Sequence, residues 1–190
     1  MITLTNDDIQ LLKERFPFLI PRNVFTGDVV EGSKNHYIGD DLPCGWSRLF
    51  LLYCKTISYI MTWQQAQELR FTDVKEKYGT LRISHLGAPE IVNSITYMYE
   101  AYSKNICSKC GKYSSRVTDG WITYLCSNCA KELEHVKTKK HKRLRKLKLT
   151  TYINNEKGTL TYNLKGINKL YKKVQKMSDA DFLYFLTCVY

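Results

Sequence analysis

The chain has 190 residues and a mass of 22.2 kDa, enough for one sizeable domain. A hydrophobic fraction of 44% and an aromatic fraction of 13% exclude a mainly disordered chain, and 4 prolines with 10 glycines exclude collagen-like and proline-rich architectures. The net charge of +11 is uneven: residues 1–100 carry 10 basic and 12 acidic side chains and residues 101–190 carry 19 and 6, which marks the second half as the part that meets phosphates.

Thr5 is placed to cap a first helix, with Asp7 and Asp8 in its first turn and Ile9, Leu12 and Phe16 at helical spacing. Pro17 and Pro21 end it. Residues 22–43, punctuated by Gly27, Gly32, Gly39 and Pro43, read as a long loop. Gly45-Trp46 opens a second helix. Its apolar positions Trp46, Leu49, Phe50, Tyr53, Ile57, Ile60 and Met61 predict a central place in the core, with the pattern fading near Gln67–Leu69. Residues 71–85 alternate as a strand pair or a bent strand broken near Gly79. A bulge there would bring Lys75, Lys77 and Arg82 to one side, with Leu81 and Ile83 inward and Thr80 and Arg82 outward. Pro89 begins a further helix with the stripe Ile91, Val92, Ile95, Met98, Tyr99 and Tyr102. Asp119-Gly120 is a hairpin turn between short strands. Residues 131–148 hold nine basic residues against Glu132 and Glu134. A second hairpin is predicted over 149–164, turning through 154–158. Ser178 caps a final helix with the stripe Phe182, Phe185, Leu186 and Val189.

The cysteines carry the strongest signal. Seven is an odd number, against a closed disulfide framework. Four of them form Cys107-x2-Cys110 and Cys126-x2-Cys129, separated by fifteen residues. Each tight turn supplies two sulfurs, an arrangement that suits tetrahedral zinc, and Gly111 suits the knuckle because it tolerates positive φ. Four thiolates close the coordination shell, so the expected Zn2+ is structural. Cys44, Cys54 and Cys188 are expected as small buried thiols. A redox pair would leave the second Cys-x2-Cys unexplained.

No enzyme is expected. The chain has no Gly-x4-Gly-Lys-Ser/Thr phosphate loop, no Gly-x-Ser-x-Gly and no His-Glu-x2-His, and Gly45-Trp46-Ser47 after Pro43-Cys44 breaks the zinc-deaminase pattern. Two candidate ligand surfaces remain. In the basic run, Lys139, Lys140, Lys142, Arg143, Arg145 and Lys146, joined by Arg116, suit a nucleic-acid backbone. Tyr113, Trp121, Tyr124, Tyr152 and Tyr162 lie near them for stacking. In the first half, Lys75, Lys77, Tyr78, Thr80 and Arg82, gathered around Gly79, suit a phosphate or carboxylate. No apolar run reaches the length of a membrane span, and no basic stretch followed by an apolar one opens the chain. A soluble, cytoplasmic protein without a membrane partner is expected.

Four motifs occur in order: Pro43-Cys44-Gly45-Trp46, then Val74-Lys-Glu-Lys-Tyr-Gly-Thr-Leu-Arg-Ile83, then Cys107-x2-Cys110-Gly111, then Gly120-Trp121-Ile122-x2-Leu125-Cys126-x2-Cys129. Their order resembles a group of small phage and prophage proteins that generally carry no assigned function. The resemblance covers about residues 40–130. It implies a viral setting in a host cytoplasm and a candidate binding surface at Lys75, Lys77, Gly79, Thr80 and Arg82. It further implies an action on the host: binding nucleic acid, trapping a nucleotide immune signal as a homo-oligomer, or gripping a host protein.

The expected fold is α+β, a small antiparallel sheet packed by helices. Its parts are an α+β domain over 1–104, a four-cysteine zinc-ribbon module over 105–136, a basic segment over 137–148 and a hairpin-helix extension over 149–190. The expected function is non-enzymatic binding of a phosphate-rich ligand, nucleic acid first, through the basic second half. The alternatives are sequestration of an anionic nucleotide and binding of a host protein.

Overall fold

A computed structural model of the chain describes residues 2–30, 42–153 and 156–188. Helix α1 (Asn6–Arg15) begins where Thr5 predicts. The Thr5 hydroxyl accepts the Asp8 N–H and the Asp8 carboxylate accepts the Thr5 N–H at 2.8 Å, a reciprocal capping box. A 3-10 turn over Cys44–Trp46 leads into α2 (Ser47–Ser58). Every side chain from Leu49 to Lys55 is buried, and a helix covered on all sides belongs inside the molecule. It ends sooner than its apolar spacing predicts. Ile60 is exposed, and a second capping box between Thr62 and Gln65 starts a separate α3 (Trp63–Glu68).

Strands β1 (Arg70–Lys77) and β2 (Thr80–Leu86) form an antiparallel hairpin. Lys77 pairs with Thr80, so Tyr78-Gly79 is a two-residue turn with φ of 52° and 73°. The bulge predicted at Gly79 lies instead between Phe71 and Asp73. Leu81 and Ile83 are buried as predicted. Thr80 is buried as well, not outward, because its hydroxyl closes the turn by donating to the Lys77 carbonyl at 2.8 Å. Helix α4 (Glu90–Ser103) covers the free edge of β2. The Ser103 hydroxyl oxygen accepts the Leu81 N–H at 3.0 Å and the Glu100 carboxylate accepts the Ile83 N–H at 2.8 Å, which satisfies an edge that would otherwise be open to pairing.

Strands β3 (Arg116–Thr118) and β4 (Tyr124–Leu125), helix α5 (Ser127–Lys131) and strand β5 (Thr138–Lys140) follow, with sheet order β4-β3-β5. Strands β6 (Lys146–Ile153) and β7 (Glu156–Asn163) form the second hairpin, and residues 154–155 of its predicted turn lie outside the described residues. The chain continues through α6 (Lys165–Val174) and α7 (Asp179–Thr187), the latter capped by Ser178. Val189 of its predicted stripe lies outside the described residues, as do positions 31–41 of the predicted long loop. The mixed α+β class is as expected, and among the described residues the strands form three small antiparallel sheets, at the strand pair over 71–85, in the cysteine module and at the second hairpin.

One main core joins the first helices, the β1–β2 hairpin, α4 and the last two helices, and the cysteine module holds a small cluster of its own around Cys107, Leu125, Cys126 and Cys129. The main core runs from Ile2 through Trp46, Phe50 and Tyr53 to Leu164, Ile167, Tyr171, Val174, Phe182 and Leu186. Each fully buried phenylalanine among them, such as Phe16, Phe50 or Phe182, contributes roughly 1.5–3 kcal/mol. The last two helices are therefore walls of the main core.

Two cations of α2 anchor those walls. Buried Lys55 donates to the carbonyls of Leu186 and Cys188, at 3.2 and 3.1 Å, at the end of α7. Arg48 donates to the Val174 carbonyl and, at 2.6 Å, to Asp179, while its guanidinium lies over the Phe182 ring. Burial raises the Asp179 pKa, but the Thr3 N–H and Arg48 outweigh it and hold the carboxyl below its ordinary value. A carboxylate held down in the folded state stabilises it above the unfolded pKa, and that contribution is lost as pH falls through the folded pKa. Asp179→Asn should cost about 1 kcal/mol at neutral pH, a figure discounted for the pair's partial exposure. Urea unfolding of this variant should lose less stability than the wild type below about pH 4.

Candidate metal centre and basic cleft

The Sγ atoms of Cys107, Cys110, Cys126 and Cys129 all lie within 4.8 Å of one another, a cluster able to hold a metal ion. The Cys110 and Cys126 sulfurs are 3.6 Å apart. The edge of a tetrahedron with metal–sulfur bonds of about 2.3 Å is about 3.8 Å, so the donor set fits zinc. Local structure explains each pair. After Cys107, the Gly111 N–H returns to the Cys107 carbonyl at 2.9 Å, and Gly111 takes φ 73° as predicted. After Cys126, the Cys129 N–H points at the Cys126 sulfur at 3.5 Å, at the start of α5. The Ser108 N–H donates to the Tyr124 carbonyl at 3.1 Å and sets the two turns face to face.

Four thiols this close resist ionising together. Burial raises the pKa of Cys110 and Cys129, and at Cys129 the neighbouring sulfurs raise it further. At Cys126 the burial penalty is outweighed by the Cys129 N–H and by the thiols of Cys110 and Cys129, and the pKa falls to about 7. A bound cation would favour the thiolate form of sulfurs that burial and mutual repulsion otherwise hold protonated.

The knuckle is built into the main core. The Gly45 N–H donates to the Ser108 carbonyl at 2.9 Å, the Cys44 thiol to the Lys109 carbonyl at 2.9 Å and the Trp46 indole to the Ile106 carbonyl at 3.3 Å. From the other side, Tyr171 of α6 and Gln175 at its end donate to the Gly111 carbonyl at 2.8 and 2.7 Å. Of the cysteines outside the cluster, Cys54 is buried and Cys44 and Cys188 are half-buried.

The β1–β2 hairpin does place Lys75, Lys77, Tyr78 and Arg82 around one hollow of about 400 Å³, shared with Asp73 and Glu100. Two of its cations are already matched. Lys75 pairs with Asp73, and Arg82 donates to Glu100 at 3.1 Å. Thr80, closed into the turn, is not in it.

The basic run is held in place. Its first part is β5, paired with β3, so Lys139 and Lys140 lie on the edge of the cysteine module. Lys139 is paired with Asp119 at 3.0 Å. Arg116, expected to face a ligand, instead donates to the Thr138 hydroxyl at 3.1 Å and the Thr138 carbonyl at 3.3 Å, which binds β3 to β5. Further on, the side chain of Asn105 accepts the Leu144 N–H at 2.6 Å and donates to the Leu144 carbonyl at 2.9 Å. The Leu164 N–H donates to the Arg145 carbonyl at 3.0 Å. These bonds shape a cleft of about 570 Å³ whose charged lining is Lys142, Arg143, Arg145 and Lys165, with Asn168 beside them and, among the described residues, no carboxylate. Lys146 does not line it; it stands in β6 opposite Asn163. Lys165 escaped the sequence reading because no motif precedes α6.

Of the aromatics expected to stack, Trp121 is exposed. Tyr113 is partly buried under the Arg143 guanidinium, Tyr124 packs on His141, the Tyr162 hydroxyl is within 3.2 Å of Ser94, and the Tyr152 side chain lies outside the described residues. Among the described residues no helix is long and apolar enough to cross a membrane. No protein-family model, curated protein or solved structure matches the chain.

Proposed function

We propose that the chain is a non-enzymatic nucleic-acid-binding protein, stabilised by one structural zinc ion and holding its ligand by the phosphates in the basic cleft. The cleft carries the reading: four cations from two segments line one hollow, with no carboxylate in it among the described residues. Cations so placed bind a polyanion by releasing its counterions, which needs no base contact. The bonds at Leu144 and Arg145 fix the backbone that carries them, which lowers the entropy lost on binding. A four-sulfur shell leaves zinc no open position for catalysis. The hollow at the β1–β2 turn is weaker support for capture of a nucleotide, because Asp73 and Glu100 already neutralise two of its cations.

Binding of a labelled duplex and a labelled single strand between about 50 and 200 mM salt tests this, since each phosphate contact adds roughly −0.9 to the logarithmic salt slope for duplex and −0.7 for a single strand. The triple variant Lys142→Gln, Arg145→Gln, Lys165→Gln should reduce the slope by about 2–3 and weaken binding by more than about tenfold. Arg143 is left intact there because it covers Tyr113. Binding that ignores salt, or survives the triple change, would refute the proposal.

A further inference from the structure

Two loops distant in sequence meet at a single point. The Tyr78-Gly79 turn lies against Ile122, so close that a Cβ on Gly79 would stand 2.7 Å from the Ile122 carbonyl oxygen and 2.8 Å from its Cγ2. One residue to the side of each partner stand Tyr78, 71% exposed, and Trp121, 81% exposed. Both are carried on braced backbone. The Gly79 N–H donates to the Glu76 carboxylate at 2.6 Å. The buried Thr118 hydroxyl donates to the Trp121 carbonyl and accepts the Thr123 N–H at 2.7 Å. Two large aromatic side chains held in water on fixed loops contribute little to the fold. An adjoining pair of this kind calls for a ligand in a way that a lone exposed aromatic does not.

The charge beside them says which ligand. The Lys77 ammonium lies 5.6 Å from the Tyr78 ring centroid and makes no ion pair among the described residues. Two exposed aromatic side chains, with an ammonium carried over the Tyr78 ring and paired to no carboxylate among the described residues, match two bases joined by a phosphate. We propose that Tyr78 and Trp121 form a base-stacking platform with Lys77 as its phosphate contact, and that the ligand is single-stranded nucleic acid. This rests on the nucleic-acid reading above. In a duplex the base faces are stacked on one another and closed to a side chain, whereas an unpaired base offers its face. The basic cleft binds phosphate in either form; the platform discriminates between them.

The test compares a labelled oligothymidine of about twelve nucleotides with a labelled duplex of the same length, by fluorescence anisotropy at fixed salt. Trp121→Ala and Tyr78→Asn should each weaken oligothymidine binding about 5- to 150-fold and leave duplex binding within about twofold. Asparagine is chosen at 78 because it tolerates the left-handed backbone there. Trp121→Phe, which keeps a flat aromatic face, should retain most of the affinity. Circular dichroism and metal content verify that each variant is folded. If the wild type binds both probes and Trp121→Ala changes neither, or weakens both equally, the platform is overturned and the nucleic-acid reading stands. If the wild type binds neither probe, both fall. If Trp121→Ala abolishes concentration-dependent sedimentation without changing oligothymidine binding, the patch joins two copies of the chain and the platform is overturned.

Discussion

Removing the zinc ion proposed for the four-cysteine cluster, with a chelator or by Cys107→Ser, should abolish the cooperative folded state of the whole chain and not only of residues 107–129. A four-thiolate zinc site contributes about 10–16 kcal/mol of binding free energy, as much as the total stability of a typical domain, about 5–15 kcal/mol. What spreads the loss is the wiring of the knuckle. Trp46 is fully buried at the head of α2, and its indole N–H depends on the Ile106 carbonyl next to the first ligand. Tyr171 is buried in α6, and its hydroxyl depends on the Gly111 carbonyl just after the second. An opened knuckle leaves both donors unpaired inside the core, at about 1–3 kcal/mol each. The protein should therefore bind one zinc per chain by native mass spectrometry. Chelation should erase the near-ultraviolet signal of Trp46 along with the thermal transition. Cys44→Ala is the milder contrast, since it removes one thiol hydrogen bond outside the cluster and should cost about 1 kcal/mol. A chelated protein that still melts cooperatively within a few degrees of the loaded one would show that the core stands without the metal.

The features legible in the sequence were those set within one turn of chain. Thr5, Ser178 and the two Cys-x2-Cys turns each fix their own neighbourhood, and the structure places them as read. The break between α2 and α3 was also written locally, in Thr62 and Gln65. The apolar spacing that continues through Ile60 and Met61 hid it. The sequence reading names no element over 165–177, where Ile167, Tyr171 and Val174 lie on one buried face of α6 with lysines between them. Of the two readings of residues 71–85, the strand pair broken near Gly79 is the one observed, and the bulge sits at Phe71/Asp73. Only the pairing of Lys77 with Thr80 forces Tyr78 to a positive φ. Ligand residues were the hardest to read, since a cation is free or occupied according to a partner far along the chain. Arg82 meets Glu100, Lys139 meets Asp119 and Arg116 meets Thr138. Composition counts those cations equally with Arg145 and Lys165, which border the cleft.

The same dependence on distant partners makes Gly45→Ala a severe substitution. Added at Gly45, a Cβ would lie 2.6 Å from the Ser108 carbonyl oxygen and 2.7 Å from the Gly111 amide nitrogen, with the Cys107 carbonyl oxygen also in its way. All three are backbone atoms of the knuckle, so no side-chain rotation relieves the overlap. The 3-10 turn must back away, breaking the Gly45 N–H bond to Ser108, or the knuckle must move and take the Cys107 and Cys110 sulfurs with it. Overpacking a core costs about 1–3 kcal/mol where side chains can adjust, and with backbone on both sides the expected cost is about 3–5 kcal/mol. Gly166→Ala is the control. It lies in α6 with nothing within 4 Å of the new Cβ, and it should stabilise the chain by about 0.4–1 kcal/mol. Thermal melts of the two variants should move in opposite directions. Chelator competition should show weakened zinc binding in Gly45→Ala alone, because that substitution displaces ligands and Gly166→Ala does not. A Gly45→Ala protein with unchanged zinc affinity and a lowered melting temperature would mean that the turn yields and the knuckle holds, which would place the rigid side of this contact at the metal.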